Sequence, residues 1–315
     1  MKKLTSLLAA LIFALPLAAQ TKEIALTFDD LPYSGISPKL TDVYEARQNI
    51  RSILATLKAH HAPAVGFVNE QELQVPDQLD MRVGLLEQWL DGGVELGNHT
   101  YSHVNIAKVP EWQAEDEVIK GEVITQRLMK AKGLNERYFR HPFLVTGATL
   151  DQRHQFEAFL KSRGYTVAPV TLDDLDWAYN GAYRQAMKDD DQATAHKLLD
   201  DFMTQVETNL TYDEKVSHAL FGRDIPFVVL MHSNQLNGIM LDQVLSLYER
   251  HGYKFITVGE ALKDPAYSTP NTFAGPNGSS WEQQWAFSMG KQDVLQGAPA
   301  TPKYMWDLYN KSNGQ

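Results

Sequence analysis

Seven short apolar runs, alternating with stretches of helical spacing, set the tightest limit on what this 315-residue chain can fold into. The runs occupy residues 24–28, 64–68, 94–97, 137–140, 165–170, 227–231 and 254–258. Between them, residues 43–59 place Ile50, Ile53, Leu54 and Leu57 on one helical face, and 83–90, 111–129, 155–161 and 241–248 are similar in kind. Strands alternating with helices imply βαβ units and a mainly parallel sheet. Either a closed (β/α) barrel or an open doubly wound sheet accommodates that order.

Two segments break the rhythm. Residues 189–220 read as an added helical stretch that starts on Asp189-Asp190-Asp191. Beyond Asp264 the composition shifts to Pro, Gly, Ser and Asn, with Trp281, Trp285 and Trp306 interspersed. This 264–315 extension is expected to wrap the scaffold and bury its tryptophans, an aromatic flap over a groove being the alternative. At the other end, Lys2-Lys3 precedes an apolar run from Leu4 to Ala19, the pattern of a signal peptide over residues 1–20. That leaves 21–263 as the principal domain and an exported, periplasmic or secreted product with no membrane span after cleavage. The chain has no cysteine, which excludes a disulfide framework and a lipoprotein anchor. Its net charge is −10, and loss of Lys2 and Lys3 takes it to about −12, which argues against a nucleic-acid partner.

Polar signals collect at the ends of the strands. Asp29 and Asp30 follow the first run, His99 and His103 the third, and Arg140 closes the fourth. The acidic group from Asp173 to Asp176, with Trp177, follows the fifth, and His232 follows the sixth. In parallel α/β folds these ends converge on one mouth, where active sites form. A spacing of four lets the His99 and His103 rings reach one ion if that segment is helical. An adjacent carboxylate pair at a strand end can divide its work, one coordinating metal and its neighbour lying beside water. A carboxylate and two imidazoles around a divalent metal, with a spare carboxylate as base, suit hydrolysis.

These segments occur in the order of five motifs. They are Thr27-Phe28-Asp29-Asp30, His99-Thr100-Tyr101-Ser102-His103, Arg140-His141-Pro142-Phe143, Asp173-Asp174-Leu175-Asp176-Trp177 and Leu230-Met231-His232. In that order they resemble the polysaccharide deacetylases, the NodB-homology enzymes of carbohydrate esterase family four, over residues 24 to 260. The resemblance implies a distorted (β/α)7-type barrel and removal of N-acetyl groups from an extracytoplasmic glycan of chitooligosaccharide or peptidoglycan type. It implies that Asp30, His99 and His103 bind one metal ion, usually zinc. Asp29 would be the general base, oriented by Arg140, with Asp176, or failing that Asp173, holding the arginine. His232 would be the general acid. The Phe143 N–H would stabilise the oxyanion, and Leu230 and Trp177 would line the acetyl pocket. Where the family commonly continues Asp-Asp-Gly-Pro, this chain has Asp29-Asp30-Leu31-Pro32, and Leu31 takes positive φ less easily than glycine. The first loop is therefore expected to run differently. O-acetyl ester or small-amide hydrolysis on the same machinery is the alternative activity, and a non-catalytic glycan-binding protein is disfavoured by the complete residue set. His141, inside the arginine motif, is not a ligand position in the family.

Overall fold

The computed structural model describes residues 21–35 and 37–314, so the signal-peptide reading of residues 1–20 lies outside the described residues. Eight strands form one sheet: β1 (Lys22–Leu31), β2 (Ala64–Val68), β3 (Glu95–Asn98), β4 (Tyr138–Phe139), β5 (Thr166–Val167), β6 (Leu172–Asp173), β7 (Phe227–His232) and β8 (Tyr253–Phe255). Helices α1 (Leu40–Ala59), α2 (Leu79–Asp91), α3 (Glu111–Lys120), α4 (Val123–Ala131) and α5 (Leu150–Ser162) lie among the first five strands. Helices α6 (Asp176–Lys188) and α7 (Gln192–Phe221) precede β7, and α8 (Gln235–Arg250) precedes β8. The chain ends with α9 (Val258–Ala261), α10 (Trp281–Ser288) and α11 (Lys303–Ser312). Among the described residues no helix is long and apolar enough to cross a membrane.

The sheet order is β5-β4-β3-β2-β1-β7-β6, and every strand pair is parallel. β8 joins the start of β1, pairing Lys22 with Tyr253 and Ile24 with Phe255. The end strands β5 and β6 do not pair with each other, so the sheet curls into an incompletely closed barrel.

Strand periodicity explains how β1 serves two environments. Successive side chains alternate between faces. Ile24, Leu26 and Phe28 pack with Ile50, Leu86, Trp89 and Val244 of the surrounding helices. Ala25 points inward, with Val65, Phe67 and Val228. Thr27 and Asp29 continue that inward series, and the register sets Asp29 opposite His232 on β7. The apolar bottom of the barrel thus gives way to a polar mouth at the C-terminal strand ends.

Local chemistry moved several boundaries. The single helix expected over 111–129 is two, with the break at Gly121, where a Cβ would come 2.8 Å from the Thr100 carbonyl carbon. The last strand ends at Phe255 rather than 258, because Thr257 and Glu260 form a capping box that starts α9. β6 was not anticipated, since two residues carry no readable period.

The segment after Asp264 lies on the same body. Arg153 donates to Asn271 Oδ1 (2.9 Å) and to the Phe273 carbonyl (2.8 Å), and Gly275 N–H donates to the Gly147 carbonyl (2.9 Å). Trp281 and Trp285 are buried. Helix α11 lies along α6 at Gly181, where a Cβ would come 2.7 Å from the Tyr309 ring.

Candidate active site

Asp29 reaches the mouth by strand alternation, but Asp30 does not. In an unbroken strand its side chain would face the opposite way. Its backbone instead turns left-handed, at φ 59°, a conformation that aspartate tolerates better than most residues. This rotation brings Asp30 Oδ1 to 3.7 Å from His99 Nε2 and 3.6 Å from His103 Nε2. Leu31 avoids positive φ: its side chain is buried against Gly66, where an added Cβ would collide with it. The left-handed step expected to trouble Leu31 is taken by Asp30 instead.

The histidine pair also meets by another route than a helix. Residues 99–105 form an irregular loop with Thr100 at φ 63° and His103 at φ 56°. The rings lie with centroids 4.9 Å apart. Asn98 holds the loop, its Oδ1 accepting from Thr100 N–H at 2.8 Å, and Asn69 donates to the His99 and Thr100 carbonyls. Two left-handed residues replace a helical turn, so the spacing of four worked for a different geometric reason.

The donor set fits a divalent metal. The ligating atoms of Asp30, His99 and His103 lie within 4.8 Å of one another. His99 Nδ1 lies 2.8 Å from the Arg140 carbonyl, which fixes the tautomer and leaves Nε2 as the free lone pair. Burial brings both imidazoles down to about 4, so they are neutral at pH 7. Burial pushes the Asp30 carboxyl upward, but His103, His232 and His99 outweigh it and hold it below its ordinary value. Neutral imidazoles and an ionised carboxylate are what a zinc-type site requires.

Asp29 is 2% exposed, beside His99 Nε2 at 3.6 Å. Burial raises its carboxyl to about 6, against the opposing pull of Arg140. Arg140 Nη1 lies 3.3 Å from both Asp29 oxygens, while Nη2 donates to Thr27 Oγ1 (2.9 Å) and Nε to the Ala168 carbonyl (2.9 Å). Its guanidinium also lies over the Phe67 ring, 4.7 Å from the centroid. The expected partner for this arginine was Asp176, and the structure corrects that. Asp176 Oδ1 instead lies 2.8 Å from His232 Nδ1, and its Oδ2 accepts from His232 N–H (2.8 Å), Asn234 Nδ2 (2.7 Å) and Asn237 Nδ2 (2.6 Å). The reason is topological, since Asp176 opens α6 beside β7 and not beside β4. Asp173 accepts from Leu175 N–H at 2.9 Å and acts on Arg140 through space alone. Burial opposes charge on His232, but Asp176 outweighs burial and lifts the imidazole to about 10.

The remaining expected residues share one cavity of about 1090 Å³ with these groups. Leu230, Trp177 and Phe143 line it. The Phe143 ring lies 4.3 Å from that of His103, and Phe143 and Leu144 are both left-handed at φ 56°. His141 lies apart, between Phe139 and Phe156, with burial pulling it down to about 3. Sequence reading missed Thr27, Asn234 and Asn237. Thr27 was legible as the inward residue before Asp29, whereas the asparagines become significant only through their shared partner Asp176.

Comparison with known proteins gives a family likeness and a shared fold. The family model described as polysaccharide deacetylase matches residues 18–161. A peptidoglycan-N-acetylglucosamine deacetylase from Bacillus cereus is 28% identical over 155 residues, covering 49% of this chain and 46% of that one. The chain spans less than half the length of the curated relatives it matches. A chitin deacetylase structure from Colletotrichum lindemuthianum has a TM-score of 0.53 at 22% identity, covering 78% of this chain and 91% of that one. A CE4 family pseudoenzyme from Bacillus anthracis has a TM-score of 0.51 at 18% identity, covering 77% of this chain and 66% of that one. At such identities the structures speak for the fold alone. Motif order, sheet and family match point the same way: over residues 18–161 the chain is similar to the polysaccharide deacetylase family.

Proposed function

We propose that this chain is a metal-dependent hydrolase that removes N-acetyl groups from an extracytoplasmic glycan. The observation that carries the reading is the pairing of two oppositely tuned dyads, Arg140–Asp29 and Asp176–His232, across the Asp30–His99–His103 cluster. Asp30, His99 and His103 would hold a divalent ion, zinc by the donor set, which would supply Lewis-acid chemistry to water and to the acetyl carbonyl.

The chain's own residues perform the proton transfers. Asp29, held by Arg140, takes a proton from the attacking water. His232, charged through Asp176, gives a proton to the departing amine nitrogen as the C–N bond breaks, leaving acetate and a free amino sugar. Phe143 N–H serves the carbonyl oxygen as charge builds on it. Leu230 and Trp177 enclose the acetyl methyl group. Export by the N-terminal segment would place this activity where acetylated wall polymers lie.

Acetate release from chitooligosaccharides, peptidoglycan fragments and acetylated xylan, with and without a chelator, tests the proposal. Chelator-sensitive release from the N-acetylated substrates is expected. Release from xylan alone would move the activity to ester hydrolysis, and release from none would remove the catalytic reading.

A further inference from the structure

The cavity continues well beyond the catalytic groups, and the residues that build its far part lie outside the family match at 18–161. One face of α6 runs along it, with Trp177, Gly181, Arg184 and Lys188 at spacings of three and four. At 1.5 Å per residue, Arg184 is about 10 Å and Lys188 about 16 Å along the helix from Trp177. The opposite wall comes from the C-terminal segment, where Tyr309, Ser312 and Asn313 line the same space.

Charge is divided along this length. Asp29, Asp30, Asp173 and Asp213 lie toward the catalytic end, where Asp213 feels Asp173. Arg184 and Lys188 lie at the far end, among the hydroxyl of Ser312 and the amide of Asn313. Among the described residues, none forms an ion pair with either cation within 4.0 Å. Two carboxylates that feel these cations are already engaged. Asp189 is held by Lys311 at 2.7 Å and Gln185 at 2.9 Å, and Asp42, which feels Arg184, bonds to Ser37 and Thr41. Arg184 is half-buried, so its charge is less screened than a surface lysine's. A volume near 1090 Å³ lies just above the range of small-molecule sites, about 300 to 1,000 Å³, and leaves space beyond the acetylated sugar.

We propose that Arg184 and Lys188 form a carboxylate-binding subsite, so that the substrate is a short acetylated glycan bearing a carboxylate on a sugar near the acetyl group removed. This rests on the deacetylase reading above. A guanidinium offers a carboxylate two parallel N–H donors, and Lys188 adds a point charge one turn away. The selectivity comes from elements that lie after the matched region at 18–161.

The test compares three disaccharides of N-acetylglucosamine, linked to N-acetylmuramic acid, to glucuronic acid, or to a second N-acetylglucosamine. The readout is the ratio of kcat/KM for an acidic substrate to that for the neutral one, so a general loss from misfolding cancels. The wild type should favour an acidic substrate by about tenfold or more, the scale of a partly desolvated charge-assisted bond. Arg184→Ala combined with Lys188→Ala should bring the ratio close to one, and 0.5 M salt should also lower it. Preference between the two acidic substrates separates a lactyl carboxylate from a ring carboxylate. A wild-type ratio near one, or a ratio unchanged in the double variant, overturns the subsite while leaving the deacetylase reading intact. If no substrate is hydrolysed, the deacetylase reading fails instead. Calorimetric binding of the acidic and neutral disaccharides to both proteins then decides the subsite, and equal affinities overturn it.

Discussion

Replacing Asp176 with Asn should uncouple His232 from its charge. The carboxylate is fully buried and accepts four donors, two of them from His232 itself. It is the largest influence raising the imidazole from 6.5 to about 10. At about 1.36 kcal/mol per pH unit this rise corresponds to roughly 5 kcal/mol, the upper end of what breaking a buried ion pair costs. Burial remains after the substitution and opposes charge, so His232 should fall to neutrality or below. A group that titrates near 6 is about 3% protonated at pH 7.5, so loss of the acid alone predicts roughly a 30-fold fall in kcat. The alkaline limb of the kcat profile should move from near pH 10 to below 7. Stability carries the same sign. A histidine raised in the folded state contributes in full below its unfolded value of about 6.5, and this is lost as pH rises through about 10. Urea unfolding at pH 6 and at pH 10.5 should therefore separate wild type from variant strongly at the lower pH and weakly at the higher. The decisive assay is a kcat–pH series paired with an NMR titration of the His232 ring proton. An unmoved alkaline limb in Asp176→Asn would refute the dyad.

Other perturbations separate the remaining roles. Asp29→Asn should retain close to one equivalent of metal by elemental analysis and lose most turnover, whereas His99→Ala should lose both. Identical behaviour in the two would undo the division between base and ligand. Arg140→Met should cost about 3–5 kcal/mol in urea unfolding, because it leaves the buried Asp29 carboxylate uncompensated. Gly278→Ala should lower kcat/KM with little change in metal content. Its Cβ would be built 1.7 Å from the Phe143 carbonyl oxygen, forcing the left-handed Phe143–Leu144 turn away from His103.

How much of this was legible in the chain varied with the kind of interaction. The parallel sheet followed from period and order, since βαβ units leave few alternatives. The cluster of Asp30, His99 and His103 was readable because Asp30 and His99 sit at strand ends and His103 follows at a spacing of four. How they meet was not readable, because left-handed turns at Asp30, Thr100 and His103 leave no mark in residue spacing. The partner of Asp176 was assigned to the wrong side of the mouth. Three aspartates within four residues offer equivalent chemistry, and only the first turn of α6 decides which one faces β7. The cavity wall from α11 was equally hidden, since contact between residues 181 and 309 depends on tertiary packing.

Helix α6 deserves a mechanical description. Its first residue holds His232, its third and fourth turns carry the two cations at the cavity's far end, and α11 lies against its middle with no Cβ between them at Gly181. Close packing at the glycine joins the site's wall to the C-terminal segment. The position of the Asp176 carboxylate at His232 and the seat of α11 are thus fixed on one and the same helix.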